Sequence, residues 1–469
     1  MVKTGTFLDE RHSGLFLFVA LQATFLFLTF GLKNPLLAFV LIGLLLAAPI
    51  VLFEPRWLLY VLVFYIAVLP SAGWGERYEV FHVFVDLRLV FLLLVAVFLS
   101  LWLRNLQEGK YQLPSSALNL FVAGFVVLAF LSLFYGLSRG NSPLVGNYDL
   151  YFIVLFTSFY LAKLLFPELP AVRRFALFLI AISTIASLEY IYLTLSQVSI
   201  TDFLVKRVTT QQPHLAQVAM PLAMAFLFTE RNWWRKGGYL LILALNLAMV
   251  VFSQQRALWV TIFLSFFMMT YFYNVRFGAT LKNILNFLKI SSIILIGIVL
   301  FVVILQEILH INIFVTVYAR LMTLQSVTED ISYFERFTEI DLALKDWQHS
   351  PWFGMGLGAT HIRAFQHRDV FGLDNSYAFV LWKMGLIGLC FFLAIYGTGL
   401  WRMYQNFRLS KAVQEKLLWA AFVTALVGLL IIAYTNLSIV RYRFNIIWLI
   451  MIGLADRFYH RYNSEKGHA

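Results

Sequence analysis

Residues 349–379 read HSPWFGMGLGATHIRAFQHRDVFGLDNSYAF, in a chain otherwise dominated by hydrocarbon. The stretch gathers His349, His361 and His367, glycines at alternate positions (Gly354, Gly356, Gly358) and the pair Asp374-Asn375. A carboxylate at a membrane surface can take the proton of a reacting hydroxyl, which makes Asp374 the first candidate for a general base. His361 and His367 are alternative bases. Asp374 and Asn375 also stand just before an apolar run, where either side chain could cap the helix that starts there. The histidine intervals match no zinc motif, so no metal is expected. The glycines allow tight turns and close backbone approach, but the turn lacks the Lys and Ser/Thr of a P-loop.

A second set of candidates is cationic. Arg207, Arg256, Arg336, Arg441 and Arg443 are isolated arginines far apart in sequence. Each could be an interface anchor that snorkels. As a set they could bind phosphate, because the guanidinium fork matches phosphate oxygens and stays charged.

These residues need elements to hold them. The chain has 469 residues, 61% hydrophobic and 13% charged, with a mean hydropathy of +0.80. Soluble domains carry about 25% charge, whereas apolar stretches long enough to span a bilayer recur here throughout. The expected fold is all-α, a polytopic transmembrane bundle of about 12–14 helices, read as a single domain over 1–469. Apolar segments are expected near 14–31, 35–53, 57–72, 83–103, 117–137, 148–166, 171–196, 214–229, 237–253, 257–273, 288–309, 376–399, 417–436 and 439–458. The single cysteine, Cys390, excludes an internal disulfide framework. The net charge of +12 is assigned to loops and anionic lipid rather than to nucleic acid.

Every second loop is basic, including those around Lys163–Arg174, Arg231–Lys236 and Arg402–Lys416. The positive-inside rule puts these in the cytoplasm. The long loop 310–375, the hairpin at 254–256 and all five arginines then face outward. Within the long loop, Phe334, Phe337, Ile340, Leu344 and Trp347 form one helical stripe. That pattern predicts an amphipathic helix on the membrane surface or packed on the bundle. Pro351 should end it.

Four motifs in order carry a resemblance. Arg207 precedes PHLAQVAMPLA from Pro213; SQQRALW holds Arg256; Arg336 precedes PWFGMGLG; and DNSYAFVLWKMGLIG contains Gly385 and Gly388. Their order and spacing resemble the O-antigen ligase and Wzy-type polymerase superfamily of bacterial envelopes. That resemblance implies a GT-C-like glycosyltransferase of lipopolysaccharide or exopolysaccharide biosynthesis. It would work on the extracytoplasmic (periplasmic) face of the bacterial inner membrane. The donor would be an oligosaccharide on undecaprenyl pyrophosphate, transferred with inversion and without metal or cofactor. Arg207, Arg256, Arg336, Arg441 and Arg443 would hold the pyrophosphate. A flippase and a chain-length regulator would be partners, alongside membrane lipid. The ligases carry histidine where this chain has Asp374, which favours a polymerase over a ligase to lipid A core. A flippase or other transporter is the alternative of another class; it would need charges near the bilayer midplane.

Overall fold

The computed structural model describes residues 55–68, 115–197, 212–275, 331–362, 369–370, 373–436 and 444–467, with isolated residues between 94 and 101 and between 285 and 318. The contacts divide into two compact units, 1–62 with 92–111, and 63–91 with 112–469. Helix α1 (Pro55–Val68) opens on a proline at its first position, where the missing N–H costs no hydrogen bond. The site lies wholly in the larger unit.

That unit is helical. It comprises α2 (Ala117–Ser138), α3 (Pro143–Val154) joined by a short 3-10 turn to α4 (Ser158–Leu165), and α5 (Leu169–Gln197). These are followed by α6 (Ala216–Thr229), α7 (Trp233–Ser253), α8 (Arg256–Val275) and α9 (Ile331–Gln348). The last are α10 (Ser376–Leu409), α11 (Val413–Thr435) and α12 (Asn445–Gly467). Among the described residues seven helices are long and apolar enough to cross a membrane. The expectation of a multi-pass helical bundle therefore holds for them. One small departure from an all-α chain is a two-stranded antiparallel pair, β1 (His361–Ile362) with β2 (Asp369–Val370).

The expected segments 14–31, 35–53, 83–103 and 288–309 lie outside the described helices. Elsewhere the apolar runs locate most helix ends to within about five residues, and α12 lies six to nine residues later than the expected 439–458. The largest difference is α10, which continues ten residues beyond the expected end at 399 because its polar positions find partners. Asn406 Nδ2 donates to the Ala455 carbonyl at 2.8 Å, and Arg402 lies 3.7 Å from Asp456.

α11 is the centre of the unit, with 78% of its apolar window buried, and it packs on α6, α8 and α10. Between apolar surfaces, polar contacts fix neighbours. Ser183 donates to Asn246 Oδ1 at 2.5 Å between α5 and α7. Gln217 Nε2 donates to Ser265 at 3.2 Å between α6 and α8.

The bundle has two distinct ends. At one, Lys163 meets Asp456 at 2.5 Å, with both side chains fully buried. Arg173 donates to Gln414 there at 3.1 Å and covers the Phe226 ring, and Phe272 packs on Phe407. The basic loops around 163–174, 231–236 and 402–416 thus share one end, as their alternation in sequence implies. The other end holds the termini of α2, α5, α7 and α11, the starts of α3, α8 and α10, and the glycine-rich loop.

Candidate functional site

The glycine-rich loop 351–358 is set into a gap in the bundle. Gly354, Gly356 and Gly358 have φ of +71°, +86° and +84°, a region that side-chain-bearing residues rarely adopt. Space forbids a Cβ as well. At Gly354 it would lie 2.6 Å from the Trp382 carbonyl oxygen, and at Gly358 2.6 Å from that of Ser142. The alternating glycines therefore mark the close approach that their spacing suggests.

The gap is a break in α10 at Gly385, where φ is +68° and ψ −169°. A regular helix would bond Leu386 N–H to Trp382 C=O and Ile387 N–H to Lys383 C=O. Here the loop supplies both sets of partners. Met355 N–H donates to Trp382 O at 2.8 Å and Gly356 N–H to Lys383 O at 3.0 Å. Leu386 N–H donates to Pro351 O at 2.9 Å and Ile387 N–H to Trp352 O at 3.3 Å. The broken helix thus leaves none of these four buried backbone groups unsatisfied.

Two further elements close the socket. On α2, Ser132 Oγ donates to Lys383 O at 3.0 Å and its carbonyl accepts from Leu357 N–H at 3.1 Å. Asn141, before α3, donates to the Met355 carbonyl at 2.9 Å. Within α3, Asp149 Oδ2 accepts from Gly358 N–H at 3.2 Å and from Lys383 Nζ at 2.5 Å. Asp149 and Lys383 have no exposed side-chain surface. A buried ion pair costs desolvation, and good geometry with further hydrogen bonds offsets it. Lys383 also lies over the Phe379 and Trp382 rings at 4.9 and 5.1 Å.

Above the loop the structure resolves the Asp374-Asn375 ambiguity. Asn375 is the N-cap of α10, accepting from Ala378 N–H at 2.9 Å. Its amide also donates to the Tyr434 carbonyl at 3.0 Å, tying α10 to the end of α11. Asp374 has no capping role. Its Oδ2 accepts from Arg336 Nε at 3.0 Å, with the two side chains 40% and 36% exposed. Oδ1 has no hydrogen-bond donor among the described residues. At ~1.5 Å per residue, Asp374 stands about 13 Å above Lys383 along α10.

Helix α9 brings Arg336 to this point by packing along α10. The apolar stripe is not its packed face. Phe337 is 43% exposed, whereas Glu339 and Ala343 are 3% and 1% exposed. A small side chain lets two helices approach closely, so Ala343 takes the contact while Ile340, Leu344 and Trp347 are half-buried and Phe337 is exposed. Arg256 opens α8 at the same end, half-buried, with α11 between it and Asp374.

The structure therefore brings together Arg336, Asp374 and Asn375, docks the three glycines lower on the same helix, and places Arg256 on the same end of the bundle. His361 contributes backbone to β1. Arg207, Arg441, Arg443 and His367 lie outside the described residues. Asp149, Lys383 and Asn141 did not stand out in the sequence. Asp149 and Lys383 are 234 positions apart, each embedded in an apolar run. A charge inside an apolar run is the signal that could have found them. No protein-family model matches the chain, and no curated protein matches it.

Proposed function

We propose that the chain is a membrane glycosyltransferase of GT-C-like architecture. It polymerises saccharide repeat units carried on undecaprenyl pyrophosphate, at the extracytoplasmic face of the bacterial inner membrane. The observation that carries this reading is Asp374, which is excused from capping, paired through one oxygen to Arg336, and half-exposed above an anchored loop. The acceptor hydroxyl would give its proton to Oδ1 as its oxygen bonds the anomeric carbon. The bond from that carbon to the pyrophosphate would break, its electron pair leaving with the polyprenyl pyrophosphate. Arg256 and Arg336 would stabilise the charge that gathers on the leaving group. Arg207, Arg441 and Arg443 are assigned to the same task, and a flippase and a chain-length regulator would supply and limit the substrate. A ligase to lipid A core would share these steps and differ in acceptor.

Transport has less support. Among the described residues two ion pairs are fully buried, Asp149–Lys383 and Lys163–Asp456, and they stand at opposite ends of the bundle. From Lys383 to Arg402 along α10 is about 28 Å, close to the ~30 Å hydrocarbon thickness. Among the described residues, fully buried ion pairs therefore stand about one hydrocarbon thickness apart rather than together at one central level.

Two experiments test the proposal. With purified protein, lipid-linked repeat units and a polymer readout, Arg256→Ala is expected to lower the rate about ten- to hundredfold, as loss of a charge-assisted bond implies. Arg256→Lys should recover only part of it, because an ammonium lacks the fork. Full activity in Arg256→Ala would make Arg256 an anchor. In a variant lacking Cys390, an impermeant thiol reagent should label a cysteine at Thr360 in intact cells and one at Lys411 only after permeabilisation. The reverse pattern would reject the extracytoplasmic site.

A further inference from the structure

The loop end carries a cation outside the five arginines assigned to the donor. Arg139 ends α2 and is exposed. Its Nη1 donates to the Tyr135 hydroxyl at 3.2 Å and lies 3.8 Å from the Met355 sulfur. Its guanidinium covers the Tyr135 ring at 5.4 Å. The Tyr135 hydroxyl is 3.4 Å from Ser350 Oγ, so a guanidinium and two hydroxyls converge. Among the described residues, no carboxylate lies within ion-pair distance of Arg139. The side chain is oriented and its charge is left unneutralised, on the end of the bundle that the basic loops avoid.

The height of this cluster is set by two helices. The Arg139 backbone stands seven residues, about 10 Å, beyond Ser132, which touches the glycine loop. The side chain folds back to Met355 in that loop. Its guanidinium therefore lies between the level of the Asp149–Lys383 pair, at the edge of the hydrocarbon, and the level of Asp374. Beside it the surface is apolar. Trp352 and Phe353 are 63% and 54% exposed, and Leu131 and Phe134 on α2 are 59% and 64% exposed. Trp and Tyr concentrate where hydrocarbon meets headgroups because part of the ring is apolar and part is polar, which suits Trp352 and Tyr135.

A ligand that satisfies both surfaces has an anionic head rich in acceptor oxygens and an apolar tail. We infer that Arg139, Tyr135 and Ser350 bind the diphosphate head of a membrane lipid, its tail lying along Trp352 and Phe353. A diphosphate uses more donors than the phosphodiester of a bulk phospholipid, which carries a single charge. The diphosphate identity rests on the glycosyl-transfer reading; the phosphate contact rests on geometry alone.

The test measures binding without turnover. The full-length protein in phosphatidylcholine nanodiscs is titrated with radiolabelled farnesyl diphosphate as the probe. Saturable binding is expected, weakened about tenfold or more in Arg139→Ala and less in Tyr135→Phe, with melting temperatures unchanged because both residues are exposed. Asp374→Asn should bind the probe normally. Its loss of turnover thus tests the reaction, and the Arg139 variants test this site. Unchanged affinity in Arg139→Ala overturns the inference. So does displacement by inorganic pyrophosphate at the same concentration, which would mean a free-anion site. Equal displacement by phosphatidylglycerol also overturns it, because the site would then hold bulk phospholipid.

Discussion

Asp374→Asn is expected to lower turnover about 10²–10⁴-fold, because an amide cannot accept the proton that a general base takes. Two structural facts make the substitution informative. Asn375, not Asp374, caps α10, so the helix start is untouched. The ion pair with Arg336 is partly exposed, and such pairs contribute about 0–1 kcal/mol. The melting temperature should therefore stay within a few degrees while activity collapses. Asn375→Ala is the opposite control, expected to cost about 1 kcal/mol of stability with turnover per folded molecule largely kept. Asp374→His should recover some activity, since imidazole also accepts a proton at neutral pH. Normal polymer formation by Asp374→Asn would remove this residue from the chemistry and pass the role to His361 or His367.

Lys383→Met is expected to be the most damaging single change to the fold. Asp149 would lose its counter-ion in a site with no exposed side-chain surface, and losing one partner of a buried pair costs about 3–5 kcal/mol. The double variant Asp149→Asn with Lys383→Met should recover much of that loss. The uncompensated charge is then gone, and the amide oxygen introduced at position 149 can still accept from Gly358 N–H. Melting temperature and yield in mild detergent, measured for both single variants and the double, decide it. Additive losses would mean that the two residues act separately. A Lys383→Met protein as stable as its parent would mean that the pair does not hold the loop.

What could be read from the sequence follows from where the information sits. Helix limits were legible at α2, α5 and α11 because hydrocarbon runs end at polar residues. The glycine loop was legible because few residues other than glycine tolerate φ near +80°. Helix faces were not. A membrane helix is apolar nearly all round, so periodicity does not say which side packs. On the amphipathic α9 a stripe was visible, yet Phe337 in it is exposed while the close contact uses Ala343. Pairings were not legible either. Asp149 with Lys383 and Arg336 with Asp374 are made by helix packing across long stretches of chain, and neither carries a local spacing signature. The choice between Asp374 and Asn375 as cap turned on backbone geometry, which two adjacent cap-competent residues leave open. Arg139 carries no local sequence signal, because Tyr135 and Met355 aim it through packing.

At Gly385 the loop acts as a splint. A continuous α10 would make two backbone bonds across residues 382–387, and the docked loop makes four with the same groups. Pro351, Trp352, Met355 and Gly356 are thus bonded to α10 as closely as one turn of helix is to the next. The tail of α9 and the top of α10 cease to be separate elements. Arg336 and Asp374 are thereby carried on two helices that the loop bonds to one another.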